Sequence, residues 1–129
     1  MSALRSCLLA AVFAATAAAG AQEAQVTARI LLQESPLAGF QFHEGKQRWG
    51  ELRVGDPLQL VREADNPHDG RAVRVEWRGH FLGYVPRADN EAVARLLDRG
   101  TRLEARIVRL RESRNPWQRV LFEVYVAER

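Results

Sequence analysis

Six consecutive residues, Asp65-Asn66-Pro67-His68-Asp69-Gly70, bring two carboxylates, an amide and an imidazole within reach of one another. Such a group could ligate a cation, move a proton or hold a turn. As a calcium loop its spacing is poor, because no glutamate stands at the far end to close the coordination shell. As a turn it is good: Asp65 and Asn66 can bond nearby backbone amides while Pro67 fixes φ. A turn without a metal is therefore expected, with His68 and Asp69 left to point outward from it.

Other chemistry lacks its parts. Cys7 is the only cysteine, and Ser35 and Ser113 stand in QESPL and RESRN, neither of which is a nucleophile elbow. The three histidines, His43, His68 and His80, form no H-E-x-x-H and no Cys-x-x-Cys accompanies them. No catalytic residue, cofactor or metal is expected. Nucleic-acid binding needs cations along a backbone path and flat rings on which bases stack. Phe42, His43, His68 and Tyr84 fall near turns and hairpin ends, with Arg87 just beyond. Trp49, Trp77 and Trp117 read as packing residues.

Charge adds one asymmetry. The chain carries 19 basic and 16 acidic side chains, a formal net of +3, which decides little. From Arg71 to Arg114, however, arginine recurs densely, and Lys46 is the only lysine. Guanidinium forks suit phosphate. Arginine is also what a GC-rich genome would write, so both readings stand.

The elements that position these residues are mostly short strands. Val26 to Leu32 is rich in aliphatic and β-branched residues and ends at Ser35-Pro36. Leu37 to Lys46 follows, with a turn at Glu44-Gly45. Leu58 and Leu60 alternate with Gln59 after Gly55-Asp56-Pro57, giving a strand to about Arg62. Val73, Val75 and Trp77 face one way and Arg74 and Glu76 the other, and Arg78-Gly79 turns the chain into His80 to Val85 as a hairpin. One helix is expected in Ala88 to Gly100, capped by Asp89 or Asn90, with Val93, Leu96 and Leu97 as its apolar stripe and Gly100 at its left-handed end. Two longer strands close the chain. In the first of them the apolar phase slips after Ile107, which predicts a bulge. In the second, Val120, Phe122, Val124 and Val126 share a face. Many short strands with one helix predict a mainly β fold, a small barrel or strongly curled sheet with an α-helix covering one opening.

The first residues read as an address. Arg5, the run CLLAAVFAATAAA and the Ala19-Gly20-Ala21 pattern predict a signal peptide over residues 1–21 and a single mature domain over residues 22–129. The run is too short and alanine-rich for a membrane span, so no integral span is expected in the mature chain. The protein is expected to be periplasmic or secreted. Cys7 precedes the cleavage point, so the mature domain would fold without a disulfide.

The stretches SPLAGFQFHEG and LVREADNPHDGRAVRVEWRGHFLGYVPRADNEAVARLLDRG resemble the HIRAN domain, found attached to fork-remodelling DNA translocases and also alone in bacteria. The similarity runs from about Ile30 to Val126, and its most specific parts are D-N-P-H-D, A-V-R-V and G-Y-V-P. It implies an OB-like barrel that captures the free 3′ end of single-stranded DNA. It further implies Gln41 and Phe42 at the positions of an arginine-aromatic pair, His68 and Asp69 as base and 3′-hydroxyl contacts, and Tyr84 and Arg87 as backbone contacts. Gln41 lacks the charge of the arginine, which should lower the salt slope by about 0.7 for a single strand. His68 offers a smaller ring than the family's tyrosine. Two partners are therefore open: single-stranded DNA, or a periplasmic protein bound by the same barrel after DNA binding has been lost.

Overall fold

The computed structural model describes residues 28–127. The leader expected over residues 1–21 lies outside them, with Cys7 and Ala19-Gly20-Ala21, as do Val26 and Thr27. Six strands among the described residues form one antiparallel sheet: β1 (Arg29–Pro36), β2 (Pro57–Glu63), β3 (Ala72–Trp77), β4 (His80–Tyr84), β5 (Leu103–Leu110) and β6 (Val120–Ala127). Their order across the sheet is β1-β6-β5-β2-β3-β4.

Alternation sets the faces as expected. Val73, Val75 and Trp77 are buried while Arg74 and Glu76 are partly exposed, and each large apolar side chain removed from water contributes about 1.5–3 kcal/mol. Arg78 and Gly79 both take positive φ, 46° and 80°, the backbone of the tight hairpin turn that matches strand twist. The register of β5 against β6 slips between Ile107 and Arg109, where the sequence phase predicted a bulge. Two further slips, between Leu31 and Gln33 and between Val75 and Glu76, were not legible in the apolar pattern. Each bulge sharpens twist, so the sheet curls on itself.

The ladder does not close into a full barrel. Its two edges meet instead at one isolated bridge, where Ala38, two residues past β1, exchanges both backbone hydrogen bonds with Tyr84 at the end of β4, each 2.9 Å. Gly83 permits that approach, because a Cβ there would collide with the Ala38 carbonyl oxygen.

Residues 37–51 depart from the strand pattern. They form a 3₁₀ turn at Phe40–Phe42, a short helix α1 (Gly45–Arg48) and a second 3₁₀ turn at Trp49–Glu51. The driving contact is Phe40, buried edge-on against Trp49 at 5.8 Å between ring centroids. Gly45 lies against the Phe40 ring, where any side chain would clash. The covering helix is present as α2 (Glu91–Asp98), with Gly100 at φ 78°. Val93 and Ala94 are its buried residues, Leu97 is partly buried against the core as expected, and Leu96 is only half-buried.

Gly83→Ala is expected to lower the free energy of unfolding by about 1–3 kcal/mol, the cost of overpacking against backbone. Gly50→Ala, at a position with open space around it, should change little. Urea midpoints of the two variants check the contrast.

Candidate nucleic-acid interface

The loop between β2 and β3 is built from its own side chains. Asn66 Oδ1 accepts from the amides of His68 and Asp69, at 2.9 and 3.2 Å, and Asp69 Oδ1 accepts from the amide of Arg71 at 2.9 Å. Turn chemistry was expected here, but Asn66 and Asp69 supply it while Asp65 lies exposed. Arg62 clamps the far side, donating to the Gly70 and Ala72 carbonyls at 2.7 and 3.1 Å and to Asp98 of α2.

Asp69 therefore differs from the outward-pointing carboxylate that the sequence suggested. Its other oxygen, Oδ2, accepts from Asn90 Nδ2 at 2.8 Å and lies 3.8 Å from Arg87 Nε. Arg87 also donates from Nη2 to the His68 carbonyl. The amide of Arg71, then Asn90 and the Arg87 guanidinium hold the Asp69 carboxyl below its ordinary value, so it remains an acceptor. An ionised carboxylate has about four acceptor positions, so a hydroxyl can still be received beside its present partners. Asn90 sits fully buried at the N-cap of α2 but makes no capping bond with its side chain. Its amide serves Asp69 instead.

Tyr84 closes the opposite wall. Its hydroxyl donates to Glu63 Oε1 at 2.9 Å, and the same oxygen accepts from Asn66 Nδ2 at 3.2 Å. Burial first, and then the bond to Glu63, raise the Tyr84 phenol above its ordinary value, so it stays a donor. Behind Tyr84 runs an aromatic strip. His43 stacks on Phe81 at 3.8 Å, Tyr84 meets Phe81 edge-on at 5.2 Å, and the Arg74 guanidinium caps the Phe81 ring at 4.1 Å.

His68, Asp69, Tyr84 and Arg87 line a single cavity of ≈ 280 Å³, with Ala38 and Val85 among its other walls. Gln41 and Phe42 stand outside it. Phe42 is 77% exposed and lies along Gly39, next to the Ala38 wall, where a ring is free to stack. Gln41 is half-buried with Oε1 unpartnered. Sequence reading missed Glu63 and Asn90, which fix Tyr84 and Asp69. Asn90 had a sufficient local explanation as a helix cap, and no short-range spacing ties it to Asp69. Trp117, expected to pack, is instead 50% exposed. Trp77 is buried and Trp49 is packed against the core, as expected. No cluster of three or more metal-ligating side chains occurs among the described residues, and no helix among them is long and apolar enough to cross a membrane.

Fold and site together define a small, curled, OB-like β module carrying a largely apolar cavity edged by His68, Asp69 and Arg87, beside an exposed aromatic ring. Two solved structures share that fold. One is a protein from Lactobacillus plantarum, 28% identical with a TM-score of 0.68, covering 79% of this chain and 98% of that one. The other is the HIRAN domain of human HLTF, 17% identical with a TM-score of 0.60, covering 78% of this chain and 80% of that one. No curated protein matches. The HIRAN domain model matches residues 30–128, and the chain belongs to that family.

One consequence of the site is a pH dependence of stability. Burial, and then the charge of Arg74, lower the His43 imidazole below its ordinary value of 6.5. The unfolded chain therefore takes up a proton that the folded chain resists, and stability falls as pH drops below 6.5. Urea unfolding at about pH 7 and about pH 5 should show a smaller acid loss in His43→Gln than in the native chain.

Proposed function

We propose that this protein is an exported, non-catalytic module that binds the 3′ end of single-stranded DNA. The observation that carries the reading is the convergence of His68, Asp69, Tyr84 and Arg87 on one cavity, from a loop, a strand and the turn that follows it. Membership of the HIRAN family supports DNA as the ligand. In this reading the terminal 3′-hydroxyl donates to Asp69, and a 3′-phosphate is repelled by the same carboxylate. His68 and Phe42 offer ring faces to bases, Arg87 offers a phosphate the exposed N–H donors left over from its contacts with His68 and Asp69, and Tyr84 and Gln41 supply lesser polar contacts. No metal or cofactor is needed. The leader expected over residues 1–21 would place the module in the periplasm or outside the cell, where extracellular or incoming DNA is the nucleic acid at hand.

Two observations favour a second reading, a periplasmic protein-interaction module that no longer binds DNA. Arg87 is already engaged by the His68 carbonyl and Asp69, and position 41 carries no cation.

Fluorescence anisotropy with single strands ending in a 3′-hydroxyl or a 3′-phosphate, across a salt series, separates the two. Tighter binding of the hydroxyl end is expected. Asp69→Ala should abolish that preference, whereas Arg87→Ala should weaken both probes alike and lower the salt slope by about 0.7. Equal, weak binding of both probes by the native protein rejects end recognition. Export is tested separately: intact mass of the periplasmic protein should correspond to a chain beginning at Gln22.

A further inference from the structure

The loop between β5 and β6 holds a tryptophan in water with unusual care. Asn115 Oδ1 accepts from the Trp117 amide at 3.1 Å and Pro116 opens the 3₁₀ turn Pro116–Gln118. Ser113 Oγ accepts from the Asn115 amide at 3.1 Å and bonds the Gln118 side chain at 3.2 Å, while Arg119 Nε donates to the Ser113 carbonyl at 2.8 Å. Trp117 is thus an exposed ring on an ordered platform. Phe42 and Trp117 are the phenylalanine and tryptophan rings left exposed among the described residues, and the 3₁₀ turns that carry them pack against each other.

The ground between them is basic and grooved. A groove of ≈ 290 Å³ is lined by Phe40, Lys46, Trp49, Glu112, Ser113 and Arg119. The Arg119 guanidinium lies 5.6 Å from the centre of the Phe40 ring, and exposed Arg114 stands in the same loop as Trp117. Lys46 and Arg119 against Glu112 leave the groove with a balance of one positive charge. The Phe40–Phe42 turn is the partition between the two sites: Ala38, just before it, walls the cavity of Asp69, and Phe40, within it, walls this groove.

We propose that Trp117 is a second base-stacking subsite, receiving nucleotides 5′ of those held at the cavity. The strand would leave the cavity over Phe42, pass Lys46 and Arg119, and stack on Trp117. Cations alternating with ring faces are what a sequence-indifferent single-strand track requires. This inference rests on the end-binding reading and extends its footprint.

The test is a ladder of 3′-hydroxyl oligothymidylates from two to about eight nucleotides, with affinity and tryptophan emission read together. Affinity should climb with length, and emission should be quenched by the longer strands but not by the dinucleotide. Trp117→Ala should remove roughly tenfold of the gain with length while leaving dinucleotide binding unchanged, and Trp117→Phe should restore part of it. Length-independent affinity, or a gain with length that survives Trp117→Ala, overturns the subsite while leaving the end site standing. A Trp117-dependent gain that is indifferent to Asp69→Ala and His68→Ala removes the end-binding reading and, with it, the placing of Trp117 5′ of the cavity, leaving Trp117 as a stacking site of its own. Absence of binding at every length overturns both.

Discussion

Two backbone hydrogen bonds between Ala38 and Tyr84 decide the shape of this molecule. They join the ends of a sheet that is otherwise open, and they form only because Gly83 has no side chain to hold the strands apart. Everything on the candidate interface is referred to that seam. It carries the Phe40–Phe42 turn to the edge of β4, sets Ala38 as a wall of the cavity and leaves Tyr84 facing the β2–β3 loop. The bulges supply the curl that brings the edges within reach, and the seam fixes where they meet.

The polar side of the interface is held by a small number of atoms with several duties each. Glu63 Oε1 takes both the Tyr84 hydroxyl and the Asn66 amide, and Asp69 takes a backbone amide, the Asn90 side chain and the Arg87 guanidinium. Shared acceptors of this kind make a network stiffer than its separate bonds, because no member can turn without unsatisfying another. The cavity is thereby formed before any ligand arrives, which spares a ligand the cost of ordering it.

Local pattern carried much of this structure into the sequence. The β3–β4 hairpin was legible because alternation and a two-residue turn agree. The bulge after Ile107 was legible because an apolar phase slip has few other causes, and the helix after Asn90 because its stripe and terminal glycine are local signals. Residues 37–51 were not, since their two 3₁₀ turns and short helix answer to the burial of Phe40 beneath Trp49, a tertiary contact that overrides propensity. The choice between a closed barrel and a strongly curled sheet stayed open for a related reason: a strand pattern says which face is buried and not whether the last edge finds the first. At the site, residue types named His68, Asp69, Tyr84 and Arg87, which the fold gathers, but Asn90 and Glu63 lie 21 positions from the partners they fix. Trp117 was misread because large rings are ordinarily core, and only the loop's own hydrogen bonding explains why this one is not.

The bond between Asn90 and Asp69 gives the most family-like stretch of this chain a second employment. Asn66, Asp69 and Asn90 pin a loop to the start of a helix, so selection on folding alone would preserve them whether or not a ligand is bound. Phe42 and the imidazole of His68 support nothing beneath them and are at liberty to drift. Among relatives of this module, the exposed rings would therefore be the better record of whether a ligand is still being held, and the acidic motif the record of a loop that must stay closed.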